Sequence, residues 1–450
     1  MSAKWHIVLI LGVSILTHFV FFGHPNETVF DEVHFGKFIS GYYTGEYYFD
    51  IHPPLGKLMI AGFAKLFDFK PGFSFAKIGE KFPDKKYTAL RFLPNLAGTL
   101  LPLVIYLLIL ELGIPKIAAL AGGLLMTIEN AILVQSQYIL MDALLLLFGF
   151  LCILSYLRYR NGRSKYYLLS IGAFGGLAAS IKWTGLTFLA LPIIWEGLRA
   201  LRSFSWLKIK KWIAKTALVG FLALIAYSFF FLIHISILNR SGTGDAFMSP
   251  EFQKTLQGNT HEQNPNISAL SLPKKIIELN EQMYKANKRL SSGHPYSSAW
   301  YTWPLMLRPI YYWVNEGSRI YLIGDPAIWW ASTVAVLYAV LRILYLVLRR
   351  ADTKYKIQNT LYFLSAGYII NLLPFLGIKR VMFLYHYLTA YIFAILILVW
   401  LISQSKNSKA IFATLLGVSA VLFIYFAPLT YGLNLSPKAY EDRVWFESWR

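Results

Sequence analysis

Two adjacent carboxylates, Asp31 and Glu32, follow the first apolar stretch of the chain by only a few residues. A carboxylate held within hydrogen-bond reach of an alcohol can take its proton and act as a general base. Neighbouring side chains point in opposite directions on a strand and lie about 100° apart on a helix, so only one of the two can reach a given substrate. The alternative is the start of a helix over 33–41, where the helix dipole favours acidic groups.

A histidine in the same region is a second candidate for chemistry. His52 stands directly before a pair of prolines, which end one element and start another. The stretch 55–67 has apolar residues at helical spacing, and we expect an interfacial helix there with Lys57 and Lys65 on its polar face. His52 could cap that helix or bind a substrate. A titratable side chain held beside two prolines favours substrate binding.

Basic side chains near predicted helix ends could bind a phosphate, and an arginine can do so with two parallel hydrogen bonds. These side chains are Arg91, Lys182, Lys379 and Arg380. Any one of them could instead extend toward lipid headgroups. For Lys182 phosphate binding is favoured, because it interrupts an apolar run at a tight turn.

Further polar groups in apolar or aromatic surroundings could bind a sugar. Asp142 lies within an apolar helix, where an ionisable side chain indicates function. His386 follows Lys379 by seven residues, which on a helix would place it on the same face about two turns away. His294 and Tyr296 open a segment dense in aromatic rings, which suits a sugar but is also typical of an interfacial aromatic belt.

The composition shows which kind of protein must position these groups. Of 450 residues, 56% are hydrophobic and only 15% are charged, against about a quarter in soluble domains, which excludes a soluble enzyme. The net charge of +20 would suggest nucleic acid in a soluble chain, but the basic residues fall between apolar runs, and no nucleic-acid partner is expected. The single cysteine, Cys152, permits neither a disulfide framework nor a thiolate metal cluster.

Eleven apolar runs are long enough to cross a bilayer as helices, which predicts an all-α polytopic membrane protein with membrane lipid around it. The runs fall near 5–22, 92–110, 115–134, 138–157, 166–181, 184–198, 213–238, 326–348, 360–376, 381–402 and 410–427. The first run lacks a small-residue cleavage site and indicates a retained anchor.

The basic residues of short turns predict the orientation. With the N-terminus in the cytoplasm, the basic turns 158–165, 199–211 and 349–356 all fall on the cytoplasmic side. This agreement favours a cytoplasmic N-terminus over the inverse topology.

Two long connections, 23–91 and 239–325, fall on the outer side with the tail 428–450. Their aromatic and proline content argues against disorder, so we expect functional loops. The indoles of Trp445 and Trp449 predict that the tail is anchored at the membrane interface. All the candidate residues fall on this outer side. That fits an enzyme at one leaflet using a lipid-borne phosphate better than a transporter with a midplane site.

The residues that carry these motifs resemble the protein O-mannosyltransferase family. The match rests first on 30–37 with 48–54, which is similar to the signature first loop of that family. Further motifs follow in the order of the family: 139–143, 182–185, 294–296 and 382–387. The resemblance runs along most of the chain.

The resemblance implies a single membrane-embedded glycosyltransferase domain of the C-type fold. It would transfer mannose, with inversion, from a polyprenyl or dolichyl phosphate to Ser or Thr hydroxyls of exported proteins. By the same resemblance Asp31 would deprotonate the acceptor, Glu32 would support the loop or the sugar, and Lys182 would hold the donor phosphate. Sugar or acceptor binding would fall to His52, Asp142, His294, Tyr296 and His386. No cofactor and no metal are expected.

Two departures from the family pattern matter. The second outer connection, 239–325, is too short for the β-trefoil domain of eukaryotic members and indicates a compact prokaryotic form. Many relatives have an Arg where Gln137 stands, so the phosphate contact is expected from Arg91, Lys379 or Arg380 instead.

The sequence leaves other assignments open. The acceptor could be a glycolipid or a cell-wall glycan instead of a protein, and a transporter is a remote alternative. The expected location is the plasma membrane, with the active site and C-terminus outside. A homodimer and a heterodimer are both compatible with the sequence.

Overall fold

Helices make up most of the computed structural model, which describes residues 3–289, 293–348, 355–378 and 380–450. The helices in chain order are α1 (Ala3–Phe19), α2 (Glu32–Thr44), α3 (Leu55–Lys65), α4 (Thr88–Glu111), α5 (Lys116–Thr127), α6 (Asn130–Gln137), α7 (Asp142–Arg160), α8 (Tyr166–Ala179), α9 (Leu186–Arg202), α10 (Trp206–Ile237), α11 (Pro250–Gln253), α12 (Leu272–Arg289), α13 (Pro326–Leu348), α14 (Tyr355–Leu372), α15 (Leu388–Ser403), α16 (Ser408–Tyr431) and α17 (Pro437–Glu441). The predicted polytopic helical fold is confirmed.

Within the described ranges, eight helices are long and apolar enough to cross a bilayer: α4, α7, α9, α10, α13, α14, α15 and α16. A ninth span is possible if α5 and α6 cross together as one bent unit. The apolar helices α1 and α8 are shorter. The predicted number of eleven requires α1, α8 and the bent unit to cross as well, and it stays a prediction.

The run at 115–134 is not the continuous helix that the sequence predicts. It divides into α5 and α6, whose axes differ by 54°. The break lies at Glu129, which precedes α6 and whose carboxylate accepts a hydrogen bond of 2.8 Å from the Ile132 amide. The same carboxylate accepts one of 2.9 Å from the Asp325 amide. A buried N-cap of this kind starts a new helix, and α6 therefore takes a different direction from α5.

The first outer connection contains α2 and α3, joined by a turn that carries His52. Lys57 on α3 is buried, where the sequence predicts a polar helix face. Its ammonium pairs with Asp50 and also donates to the backbone oxygens of His52 and Pro53, at 3.1 and 3.2 Å. The three ammonium hydrogens therefore fix the turn around His52. The predicted exposure of Lys57 on a polar helix face is wrong, because its ammonium is buried and bound within this turn.

The second outer connection contains a β-hairpin that the sequence analysis does not predict. Strands β1 (Ile310–Asn315) and β2 (Ser318–Leu322) are antiparallel, with Ile310 opposite Leu322. The hairpin is bound to the first outer connection, because the Phe30 amide donates to the Tyr312 carbonyl at 2.9 Å and the Trp313 indole donates to Glu27 at 2.8 Å. The two connections therefore form one layer over the helices.

The C-terminal tail packs on this layer. Trp449 is fully buried, and its indole donates to the Met306 carbonyl at 2.8 Å. Trp445 is 40% exposed. The predicted anchoring by both indoles is therefore wrong for Trp449, because this side chain fills the protein core.

Candidate active site

A cavity of 530 Å³ lies where the outer ends of several helices meet. It is lined by the start of α7, the turn before α9, the end of α12 and the segment before α15. Five of the predicted site residues line it: His52, Asp142, Lys182, Arg380 and His386. These residues come from distant parts of the sequence, and the fold brings them to one place.

An ion pair between Lys182 and Asp142 forms one wall of the cavity. The Lys182 ammonium donates to both carboxylate oxygens of Asp142, at 2.8 and 2.9 Å. The Gln135 amide donates to the same carboxylate at 2.7 Å. The ammonium has three hydrogens and two of them bind Asp142, so the third is available for a ligand in the cavity.

Two glycines lie at close contacts beside this pair. A Cβ atom on Gly185 would lie 2.3 Å from the backbone of Ala178, so the turn that carries Lys182 requires glycine. A Cβ atom on Gly56 would lie 2.4 Å from the Met141 sulfur, so a larger residue there would displace the Met141 side chain at the start of α7. The sequence analysis does not predict this packing role for either glycine.

A second cation, Arg380, faces the same cavity. Its guanidinium donates to the Asn287 side chain at 2.5 Å and lies 3.1 Å from Nε2 of His386. Because arginine only donates, Nε2 must accept, and the His386 proton then lies on Nδ1, which is 3.0 Å from the Phe383 carbonyl. His386 is therefore a neutral side chain that orients Arg380. Asn287 is a contact that the sequence analysis missed, because α12 carries no recognisable motif.

His386 does not share a helix face with Lys379 as the sequence predicts. The segment that leads into His386 is a non-helical turn followed by a short 3₁₀ helix at 384–387, so a spacing of seven residues does not define a helix face there. Lys379 lies outside the residues that the structure describes.

His52 lies between cations at the cavity wall. Burial lowers the pKa of His52 well below its usual value, and the positive charges of Lys182, Lys57 and Arg380 lower it further. The imidazole is therefore neutral. It does not cap α3, because the N-cap residue of this helix is Pro54 and no side chain caps it. The capping alternative is wrong, and a neutral ring that can donate or accept a hydrogen bond faces the cavity.

Asp31, at the N-terminus of α2, does not line the cavity itself, but it is near enough for the charges of Lys182, Asp142 and Asp50 to act on it. It occupies the N-cap position, but its side chain makes no capping hydrogen bond. Burial raises the pKa of Asp31 to about 7, opposed by the charge of Lys182 and reinforced by Asp142 and Asp50. A carboxyl group with a pKa near neutrality is suited to accept a proton.

Glu32 points away from Asp31 and into the protein. It forms a fully buried ion pair with Arg91, with two hydrogen bonds of 2.7 Å. The other Arg91 donors bind three backbone oxygens, those of Gly23, Pro25 and Glu27. All five guanidinium hydrogens are thus used, and the side chain has no surface exposure. The expected phosphate contact of Arg91 is therefore wrong, because this side chain has no donor left. Of the two roles expected for Glu32, the contacts fit support of the loop.

A line of contacts joins the Asp31 loop to the Lys182–Asp142 pair. Phe30 has a backbone φ of +47°, an unfavourable value for this residue type, and its ring stacks on Tyr312 at 4.0 Å. The Tyr312 hydroxyl donates to the Gln135 side chain, which in turn binds Asp142. Sequence analysis missed Tyr312 and Gln135, because 177 residues separate them and no motif contains both.

His294 and Tyr296 lie outside the cavity. The His294 ring is exposed and packs on Phe383 at 5.0 Å, while Tyr296 packs on Tyr311 at 5.4 Å. The structure does not bring these two residues together with the other five. Gln137 does not line the cavity either; its buried amide nitrogen has no hydrogen-bond partner within the described part of the chain.

Comparison with known proteins identifies the family. Residues 8–239 match the family model described as dolichyl-phosphate-mannose-protein mannosyltransferase, and residues 272–449 match the C-terminal four-TMM region of protein-O-mannosyltransferase. Dolichyl-phosphate-mannose–protein mannosyltransferase 1 of Saccharomyces cerevisiae is 37% identical over 53% of this chain. The Candida albicans protein of that name is 23% identical over 99% of this chain and 77% of its own length. The match with the yeast protein covers only about a third of that relative, 31% of its length.

Solved structures show the same fold. A chain of the S. cerevisiae protein O-mannosyltransferase Pmt1-Pmt2 complex bound to the sugar donor superposes with a TM-score of 0.92, at 22% identity, covering 99% of this chain and 92% of that one. ArnT from Cupriavidus metallidurans, bound to undecaprenyl phosphate, has a TM-score of 0.57 at 15% identity, covering 95% of this chain and 66% of that one. The C-type glycosyltransferase architecture is thereby confirmed. Because one family model alone matches more than half of the sequence, the chain belongs to the protein O-mannosyltransferase family.

Proposed function

We propose that this protein transfers mannose from a polyprenyl or dolichyl phosphate to Ser or Thr hydroxyls of exported proteins. One observation carries the proposal: the Asp31 carboxyl group, with its pKa raised to about 7, lies beside the charges of Lys182 and Asp142, which line the 530 Å³ cavity. Family membership supports the same reaction, since the relatives are named for it.

The cavity has the chemistry of a lipid phosphate site. Lys182 and Arg380 provide positive charge at one part of the wall, whereas Leu145, Leu146 and Ile378 provide an apolar part. A phosphate bound to a polyprenyl chain has the same division between a charged and an apolar end. We therefore place the donor in this cavity, with the phosphate near both cations.

The reaction follows from these positions. Asp31 takes the proton of the acceptor hydroxyl while the hydroxyl oxygen forms a bond to the anomeric carbon. The bond between that carbon and the phosphate oxygen breaks on the opposite face, which inverts the configuration. The electron pair leaves with the polyprenyl phosphate, whose negative charge Lys182 and Arg380 stabilise. Asp142 keeps Lys182 in place, and His386 and Asn287 keep Arg380 in place.

The proposal includes the partners and the location. The acceptor is a secreted or membrane protein met during export, and the chain lies in the plasma membrane with its N-terminus in the cytoplasm. The basic turns at 158–165 and 199–211 support this orientation. The complex of two chains in the solved yeast relative supports a dimer as the working unit.

A transfer assay tests the proposal. Membranes containing the full chain are incubated with labelled polyprenyl-phosphate mannose and a Ser/Thr-rich peptide, with the same peptide carrying Ala at each Ser and Thr as the matched control. We expect label in the first peptide only, and mannose as the sugar that is released from it. Label confined to the lipid fraction would identify a glycolipid acceptor and contradict the proposal. Release of a different sugar would contradict the proposed donor.

A further inference from the structure

A second cavity lies at the opposite end of the helices from the proposed active site. It has a volume of 340 Å³ and opens between α7, α8, α9 and α10. Helix α7 has 19 residues, from Asp142 to Arg160, so it is about 28 Å long and places this cavity near the other membrane surface. A neighbouring opening of 360 Å³ that shares Glu196, Arg199 and Lys215 with it adjoins the turn at 162–165.

Positive charge dominates these two cavities. Six basic side chains line them: Arg160, Lys165, Arg199, Lys208, Lys211 and Lys215. Among the described residues, Glu196 is the only acidic one in their walls, and it already accepts hydrogen bonds from the Tyr156 hydroxyl at 2.6 Å and from Arg199 at 2.9 Å. Within the described part of the chain, none of the four lysines lies within ion-pair distance of a carboxylate. The positive charge is therefore not balanced by the protein itself.

One wall of the 340 Å³ cavity is fixed by a specific contact. The Trp212 indole donates to the Ile193 carbonyl at 3.0 Å, just after Pro192 in α9. A Cβ atom on Gly197 would lie 2.8 Å from the Trp212 ring, so glycine gives the indole its place. The opening between α9 and α10 is thus a defined part of the fold.

The cavity also has an apolar side, which favours a phospholipid over a free phosphate as the bound anion. Leu168, Ile171 and Val219 line its interior. Beyond the opening, Phe204 and Trp206 are 63% and 70% exposed. A free phosphate would use only the basic residues, whereas a phospholipid would also use the apolar wall for its acyl chains. Basic pockets between membrane helices on the cytoplasmic side are known to bind anionic lipid headgroups.

We infer that this cavity binds the headgroup of an anionic phospholipid, on the membrane surface opposite to the proposed active site. The phosphate lies among Lys208, Lys211 and Lys215, and an acyl chain follows the apolar wall toward the bilayer. This site is separate from the donor cavity, so it holds a lipid that is not consumed in the transfer reaction.

Native mass spectrometry of the full chain in detergent tests the inference. The probes are dioleoyl phosphatidylglycerol, dioleoyl phosphatidylcholine and inorganic phosphate. We expect one retained phosphatidylglycerol, bound at least tenfold more tightly than either of the other probes. Changing Lys208, Lys211 and Lys215 to Gln together should weaken phosphatidylglycerol binding about 100-fold, from about fivefold for each lysine near the membrane surface.

A matched variant separates this site from a general effect of charge. Lys406 and Lys409 follow α15, which runs from the active-site end to the same membrane surface, and neither residue lines the cavities. The double variant Lys406→Gln/Lys409→Gln should keep phosphatidylglycerol binding within twofold. Equal losses in the two variants, equal binding of phosphatidylcholine, or equally tight binding of inorganic phosphate would each overturn the inference. Because all five lysines are on the surface, we expect unchanged melting temperatures in both variants.

Discussion

Two buried pairs of an acid and a base stand close to each other in this protein, and they differ in how much of their bonding capacity is left. Glu32 and Arg91 are completely buried, and every hydrogen of the guanidinium binds an oxygen of the protein. Asp142 and Lys182 each keep 11% of their side-chain surface, and both line a cavity. The first pair, Glu32–Arg91, is the enclosed pair and holds the backbone in place. The second, Asp142–Lys182, is the open pair and can still bind a ligand. The two pairs differ in role because the Arg91 guanidinium has no free N–H group, whereas the Lys182 ammonium still has one.

The largest effect on stability is expected from a substitution that breaks the enclosed pair. Arg91→Met leaves the Glu32 carboxylate buried without a charge partner and three backbone oxygens without a donor. We expect a loss of about 3–5 kcal/mol in the free energy of unfolding, measured by thermal melting of the solubilised protein. Lys182→Met is the comparison, because Asp142 keeps its Gln135 bond and faces a cavity that water can enter. An equal loss in both variants would contradict the distinction between the two pairs.

The open pair should instead control transfer. Lys182→Met removes a proposed donor to the phosphate, and we expect the rate of mannose transfer to fall about 10²- to 10³-fold, as for the loss of one stabilising donor in other active sites. The measurement is single-turnover transfer with saturating donor and equal amounts of folded protein. A rate close to that of the unchanged protein would remove Lys182 from the phosphate site.

The dependence of the transfer rate on pH tests the proposed role of Asp31. Burial raises the pKa of Asp31 to about 7, so the carboxylate form that can accept a proton is lost below this pH. We expect the transfer rate to be constant above pH 7 and to fall about tenfold per pH unit below it. The check is a rate profile between about pH 5 and 9. A constant rate down to pH 5 would indicate a base with the usual carboxyl pKa of about 4.

A smaller effect tests the connection between the Asp31 loop and the open pair. Tyr312→Phe keeps the ring that stacks on Phe30 but removes the hydroxyl that binds Gln135. Loss of one neutral hydrogen bond, about 1 kcal/mol, should lower transfer about fivefold. The matched control is Tyr311→Phe on the same strand, since its hydroxyl contacts Tyr440 instead. A change of the same size in both variants would show that the hydroxyl of Tyr312 has no special role.

The sequence alone predicted the helical membrane fold, the family and five residues that do line one cavity. These features depend on local apolar runs and on short motifs such as the one around His52, which are visible without tertiary structure. The break between α5 and α6 was not predictable in the same way, because the apolar run is continuous and only the buried capping bond of Glu129 divides it.

Pairing between distant residues was also beyond the sequence. Arg91 and Lys182 both stand near outer helix ends, and nothing in their local patterns distinguishes them. Only the fold brings Arg91 to Glu32, 59 residues away, and Lys182 to Asp142. The hairpin that carries Tyr312 was missed because the aromatic segment that His294 and Tyr296 open was considered only as a sugar site or an interfacial belt, and no strand pairing was considered after it.

The Asp31→Asn variant tests most directly whether Asp31 is the base. This change keeps the size of the side chain and removes its ability to take a proton, and the side chain caps no helix end. We predict that single-turnover transfer falls at least 100-fold while the melting temperature and binding of the donor lipid stay unchanged. Transfer within fivefold of the unchanged protein, with the same donor binding, would contradict the account.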